Sequence, residues 1–160
     1  MSWSNSNPDW KDRLFGALVY LFPLYYSLQF AGSLFRQIPF LELILIPLFP
    51  LIWFNQVVPL GGLILFFVLF AAVVRNARIS HFIRFNTMQA ILIDILLLLV
   101  SLVTDILLRG LGTSLFVQTL FNTIFLAVLA VCVYGMYMCA MGQRPEIPTI
   151  SEAAYSQVPW

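Results

Sequence analysis

The stretch RNARISHFIRFNTMQAILID, Arg75 to Asp94, decides how this chain folds. Its first ten residues hold three of the eight basic side chains (Arg75, Arg78 and Arg84) and the only histidine, His81. It then runs without a break into apolar sequence that still carries Asn86, Thr87, Gln89 and Asp94. A basic loop feeding a long apolar run reads as a membrane boundary followed by a transmembrane helix. Polar groups kept inside hydrocarbon are costly, so those that remain there mark packing or function.

The rest of the chain agrees. Of 160 residues, 61% are hydrophobic and 9% charged, and the mean hydropathy is +0.94. Soluble domains carry about 25% charged residues, so this chain cannot cover itself with a polar surface. The expected class is an all-α polytopic membrane protein forming one domain over residues 1–160. A net charge of +1 gives no bulk attraction for nucleic acid.

Working outward, the helix begun near His81, with Ser80 as N-cap, is expected to run to about Leu108. Arg109, Gly110 and Gly112 turn the chain, and a last span covers about 115–141. Gly142 and Pro145 end it, leaving a tail over 142–160. Upstream, a polar segment 1–13 precedes a span at about 14–35. Pro23 interrupts that span and takes away the backbone donor for the Val19 carbonyl. A further apolar run covers 60–74.

Residues 40–54, FLELILIPLFPLIWF, are apolar but short, with Pro47, Pro50 and Glu42 inside. Either they form a fifth span, or they lie in the interface or re-enter. The distribution of basic residues chooses between the two. With four spans, Lys11, Arg13, Arg75, Arg78, Arg84 and Arg144 share one side against Arg36 and Arg109, six to two. With five spans the split is three to five. Four spans plus an interfacial or re-entrant segment is the expectation, with both termini on the positive side.

No catalytic motif stands out, and no cofactor is expected. One histidine, two cysteines and scattered carboxylates do not give converging metal ligands. Cys132 and Cys139 share a helix face about 10 Å apart along the axis, too far for a disulfide. At 100° per residue, Arg84, Thr87, Asp94, Ser101, Asp105 and Arg109 fall within an arc of roughly 100°. Asp105 and Arg109 are spaced to pair. An antiparallel last helix would bring Gln118 level with Asp105 and Asn122 level with Ser101. The stripe reads either as polar glue between helices or as the lining of a hydrated path or partner groove. Asp94 lies about 14 Å in from Phe85. It is expected to face the bundle interior as a protonated carboxyl and donate across helices, with the Val19 carbonyl, Tyr20 or Tyr134 as partner. The tail is expected to dock on the basic loop of Arg75, Arg78 and His81, with Glu146 and Glu152 facing it and Ile147, Ile150 and Tyr155 packing.

The segments ISHFIRFNTMQAILIDIL (Ile79–Leu96), PEIPTISEAAYSQVPW (Pro145–Trp160) and FGALVYLFPLYYSL (Phe15–Leu28) resemble the twenty-kilodalton Tic subunit family. That family supplies a membrane component of the protein-import translocon of the inner chloroplast envelope, with cyanobacterial and plastid-encoded relatives. The resemblance implies four membrane helices with both termini stromal or cytoplasmic, no catalytic residues and no cofactor. It also implies a bilayer setting in a plastid inner envelope or cyanobacterial membrane. The partners implied are other translocon membrane subunits and a polypeptide in transit. Residues 1–13 lack the Arg- and Ser-rich, acid-poor make-up of a transit peptide, which points to a cyanobacterial or plastid-encoded member. The expected function is therefore a non-enzymatic component of a protein-translocation complex. A small-solute transporter or channel subunit, using the polar stripe as its pathway, is the alternative from another class, and a purely structural assembly factor is the third.

Overall fold

Ser80 starts the longest helix by capping it: its hydroxyl accepts the Ile83 amide at 3.4 Å, satisfying one of the donors left open at a helix N-terminus. This helix, α6, runs from His81 to Leu107 in the computed structural model, which describes residues 7–158. Ser114 caps the last long helix in the same way, its hydroxyl accepting from Val117. That helix, α7, covers Leu115–Ala140. Gly110, Gly112 and Gly142 take the positive φ values that end the two helices. Both spans match the boundaries read from the sequence to within a residue or two. The described residues are helical throughout their regular structure, with no strand.

The first passage is not one helix. It divides into α1 (Trp10–Leu18), α2 (Leu21–Ser27), a 3-10 turn (Leu28–Phe30) and α3 (Gly32–Gln37). Pro23 falls in the first turn of α2, where a missing amide costs nothing. The Val19 carbonyl it would have left open is taken by the Phe22 amide at 3.2 Å. The expectation that Asp94 serves that carbonyl is therefore incorrect; a local turn does. The break turns Tyr20 inward, where it is fully buried. Gly135 of α7 makes room for it, since a β-carbon there would stand 2.7 Å from the Tyr20 ring. Gly16 does the same for Phe82, at 2.9 Å. Small residues at helix contacts are how membrane helices approach closely when hydrocarbon surrounds them.

Residues Pro39–Val57 are helical without interruption, a 3-10 stretch (Pro39–Ile44) leading into α4 (Leu45–Val57). Pro47 lies in the first turn of α4, where its missing amide costs nothing; Pro50 lies inside the helix, which nevertheless continues to Val57. At 19 residues this segment is long and apolar enough to cross a membrane by length and composition. α5 (Gly61–Val68) continues into a π-helical turn (Leu69–Val74), 14 residues in all. That is about 21 Å, short of the roughly 30 Å hydrocarbon core.

Side-chain bonds fix which ends lie together. Ser80 donates to Asp12 at 3.1 Å, so α1 and α6 begin at the same end. Ser33 of α3 donates to Gln118 at 3.1 Å, and Ser101 donates to Gln29 at 3.0 Å, placing α3 at the other. The chain leaves α3 at that far end and reaches Val74 at the first, where the Val74 carbonyl accepts from Arg84. Residues 39–74 thus make one net passage in two pieces. α4 climbs from α3 to the level of α2, where Phe54 and Asn55 abut Gly61 and Gly62, and α5 completes the traverse. The chain makes four passages in total. α1 and α2 pack against both α6 and α7, with T-shaped ring pairs Phe30–Phe121 and Phe35–Phe125 closing the far half.

Candidate functional site

The short tail helix α8, Ile150–Gln157, packs on the first turns of α6, and a buried polar network joins them. Gln89 is at its centre, fully buried. Its amide nitrogen donates to the Tyr20 hydroxyl at 2.9 Å and to the Pro145 carbonyl at 3.2 Å. Its oxygen accepts the Ser151 hydroxyl at 2.7 Å. Tyr20 passes the chain on, donating to Asn86 at 2.8 Å. Asn86 in turn donates to the Phe82 carbonyl at 2.9 Å and accepts from the Cys139 thiol at 3.2 Å. The Ile147 amide donates to the Ser151 oxygen at 2.7 Å. One connected set therefore ties α2, α6, α7 and the tail, with each bond made in low dielectric where it counts most.

His81 holds the other end of the tail. The Arg144 guanidinium approaches Nδ1 at 3.2 Å, and a guanidinium can only donate. Nδ1 is therefore the acceptor, and Nε2 carries the proton that goes to the Val158 carbonyl at 3.1 Å. Apolar contacts complete the dock. Tyr155 stacks on Phe85 with centroids 4.4 Å apart, and Ala154 and Val158 are fully buried. The tail docks as expected, but not by the expected charges. Glu146 accepts the Tyr155 hydroxyl at 3.1 Å, Glu152 is exposed, and Arg75 and Arg78 are exposed in the loop.

The polar stripe read from the sequence divides. Arg84 is buried and donates to the Val74 carbonyl at 2.9 Å, pinning the π-helical turn. Thr87 is fully buried, and its hydroxyl oxygen is without a hydrogen-bond partner among the described residues. Ser101 bonds to Gln29 and Gln118 to Ser33, so their partners lie on the first passage, which stands between α6 and α7. Asp105 does not pair through its side chain with Arg109, whose Nε donates to the Asp105 backbone carbonyl at 3.1 Å. The Asn122 Oδ1 is buried with no partner.

Asp94 stands apart. It lines a cavity of about 500 Å³ between α2, α5 and α6, and its buried Oδ1 has no hydrogen-bond partner among the described residues. It faces the interior as expected, but the expected donation across helices is not made at that oxygen. Three residues of the tail network were named in the sequence without being assembled: Asn86, Gln89 and Tyr20. They lie on α6 about 120° round from the stripe, or on another helix, and the available signal was the Asn86–Gln89 spacing of three, which puts two amides on one helix face.

This arrangement of broken first passage, amide-bearing α6 and locked tail runs almost the whole length of the chain, and so do its similarities. Residues 2–154 match the family model described as chloroplast import apparatus Tic20-like. A Tic20 family protein of Synechocystis sp. is 49% identical over 156 residues, covering 97% of this chain and 98% of its own. The Arabidopsis thaliana protein TIC 20-v, chloroplastic, is 34% identical over 163 residues, covering 98% of this chain and 76% of its own. The Tic20 family protein Ycf60 of Gracilaria tenuistipitata var. liui is 32% identical over 153 residues, covering 92% and 75%. With a match spanning the first passage, the basic loop, α6 and the tail helix, the chain belongs to the Tic20 family.

Proposed function

We propose that this chain is a non-enzymatic membrane subunit of a protein-translocation assembly. Its N-terminal segment, basic loop and tail would lie together on the cytoplasmic or stromal side. The observation that carries the reading is the family match over residues 2–154, described as chloroplast import apparatus. The structure lends support of a different kind. The buried side chains of Tyr20, Asn86, Gln89 and Ser151 at the basic end bond to one another, as befits a scaffold, and α6 presents a long row of exposed Leu, Ile and Val to lipid or to neighbouring helices. The orientation rests on Arg13, Arg75, Arg78, Arg84 and Arg144 gathering at one end, in keeping with the excess of basic residues on the side that stays in the cytoplasm or stroma.

The test is purification of the tagged chain from its native membranes after site-specific crosslinking from exposed α6 positions such as Leu99 and Leu102. Partner subunits and a polypeptide caught in transit are the expected products. Solute flux through the purified chain alone in liposomes, with no polypeptide or subunit crosslinked in membranes, would overturn the proposal in favour of a transporter.

A further inference from the structure

We infer that the cavity around Asp94 is a binding site for a small, lipid-phase molecule that carries a hydrogen-bond donor head, best met by an amine. The inference is independent of the translocation reading.

Three observations place the ligand. The walls are hydrocarbon (Phe22, Phe66, Leu69 and Leu98), so the body of the ligand is apolar. The polar groups at the cavity's far edge are already engaged. Ser101 donates to Gln29, and the Gln29 amide donates to the Tyr26 carbonyl at 3.1 Å. The Tyr26 hydroxyl lies against Gly62, which leaves the carboxyl of Asp94 as the anchor, its Oδ1 buried and without a partner among the described residues. A buried acceptor with nothing to accept is costly, and the cost is larger in low dielectric. A donor head removes it, and a cationic amine does so most strongly through a charge-assisted bond.

Size decides between a small molecule and a helix. The cavity volume falls within the roughly 300–1,000 Å³ of small-molecule sites. Along α2 and the 3-10 turn that follows, it extends from Phe22 to Gln29, about 10 Å. A transmembrane helix is about 10–12 Å wide and must run about 30 Å, so it does not fit. Backbone geometry keeps the space open. Gly62 carries no side chain where a β-carbon would collide with the Tyr26 hydroxyl, so Tyr26 can lie against α5 instead of filling the cavity.

The test uses the purified chain in nanodiscs of uncharged lipid and three probes with one apolar body: 1-aminoadamantane, 1-adamantanol and 1-adamantanecarboxylate. Saturable binding in the order amine, alcohol, carboxylate is expected, followed by ligand-observed NMR. Asp94→Asn should weaken amine binding at least about tenfold. Leu98→Trp should do the same by narrowing the mouth; Leu98 is exposed, so the larger ring leaves the packed core alone. As a second readout, dicyclohexylcarbodiimide, which adds a carboxylic acid across its C=N bond with loss of no fragment, should label Asp94. The amine should protect it. Equal partitioning of all three probes into discs with the wild-type chain and with both variants would overturn the inference, as would labelling of Asp94 that the amine does not slow.

Discussion

Replacing Gln89 with Leu should release the tail while leaving the four passages intact. The wild-type amide makes three bonds, to Tyr20, Pro145 and Ser151, in a fully buried position. At about 0.5–1.5 kcal/mol net for each, their loss amounts to roughly 1.5–4.5 kcal/mol. The lower half of that range is favoured, because two orphaned groups have alternatives. The Ser151 hydroxyl lies 3.2 Å from the Pro145 carbonyl and can turn to it, and Tyr20 keeps its bond to Asn86. The expected figure is therefore about 2 kcal/mol, or close to a thirtyfold rise in the population with the tail undocked. The remaining anchors, Tyr155 on Phe85 and His81 with Val158 and Arg144, leave undocking a local event. Hydrogen exchange at the α8 amides, such as Ala154 and Tyr155, should quicken by about that factor, while amides in the middle of α7 keep their protection. Unchanged exchange across α8 would show that the network does not hold the tail. Loss of protection throughout α7 would show instead that Gln89 supports the whole bundle.

Gly135→Ala should destabilise the bundle by about 1–3 kcal/mol, since the new methyl meets the fully buried Tyr20 ring at 2.7 Å, well inside contact; thermal unfolding in detergent reads it, and an unchanged midpoint would refute it. Thr149 sits at φ +69 and ψ −47, and the Ile150 amide closes a γ-turn onto the Pro148 carbonyl at 2.8 Å. This strained turn predicts that Thr149→Gly slows exchange in α8 by a few-fold. Burial first, then the bond to Glu146 and its charge, push the Tyr155 hydroxyl above its ordinary value. A group whose folded pKa is raised contributes fully below its unfolded value, near 10, and its contribution is lost as pH rises through the raised value. Tail docking should therefore weaken only in strongly alkaline solution, and Glu146→Gln should bring the tyrosinate absorbance transition back toward the ordinary range. Cysteines placed at Gln37 and Asn76 should label from opposite sides of the membrane, and labelling from one side would mean that 39–74 does not make a single net passage.

The helices whose ends carry chemical signals were legible. Ser80 caps as its sequence position suggests, Ser114 caps α7 in the same way without having been singled out, and the glycines after α6 and α7 stop them. What sequence could not supply was the path of the first passage. Pro23 announced a break but not its resolution, because a freed carbonyl is satisfied by whichever amide comes nearest, and that is decided by the local turn at Val19–Phe22. The same break wedges α1 and α2 between α6 and α7, so that Gln118 meets Ser33 of the first passage. The paired prolines of α4 do not break it: Pro47 falls in the first turn, where no amide is needed, and the helix runs on past Pro50 to Val57. Periodicity placed Asp94 on the inward face correctly. It could not say that this face meets a cavity, since a cavity is a property of three segments at once.

The two kinds of polarity in α6 follow from depth. Asn86 and Gln89 lie within the first three turns, close to the boundary where the tail can fold back over them. Every polar atom they bury finds a protein partner there. Asp94 is a further turn and more inward, about 7.5 Å beyond Gln89, past the reach of α8, and across the cavity from α5, where Gly62 withholds a side chain. A polar group at that depth with a neighbouring helix too slender to answer it is left with an open valence. Had the role of Asp94 been to glue helices, a donor on α2 or α5 would be expected opposite it, as Gln29 stands opposite Ser101 one turn pair further on. The wall around it is instead Phe22, Phe66 and Leu69, and the α2 hydroxyl in that wall, on Tyr26, lies against Gly62 without bonding to the buried Asp94 Oδ1. The same helix thus carries a closed polar network where the chain can complete it and an open one where only something outside the chain can.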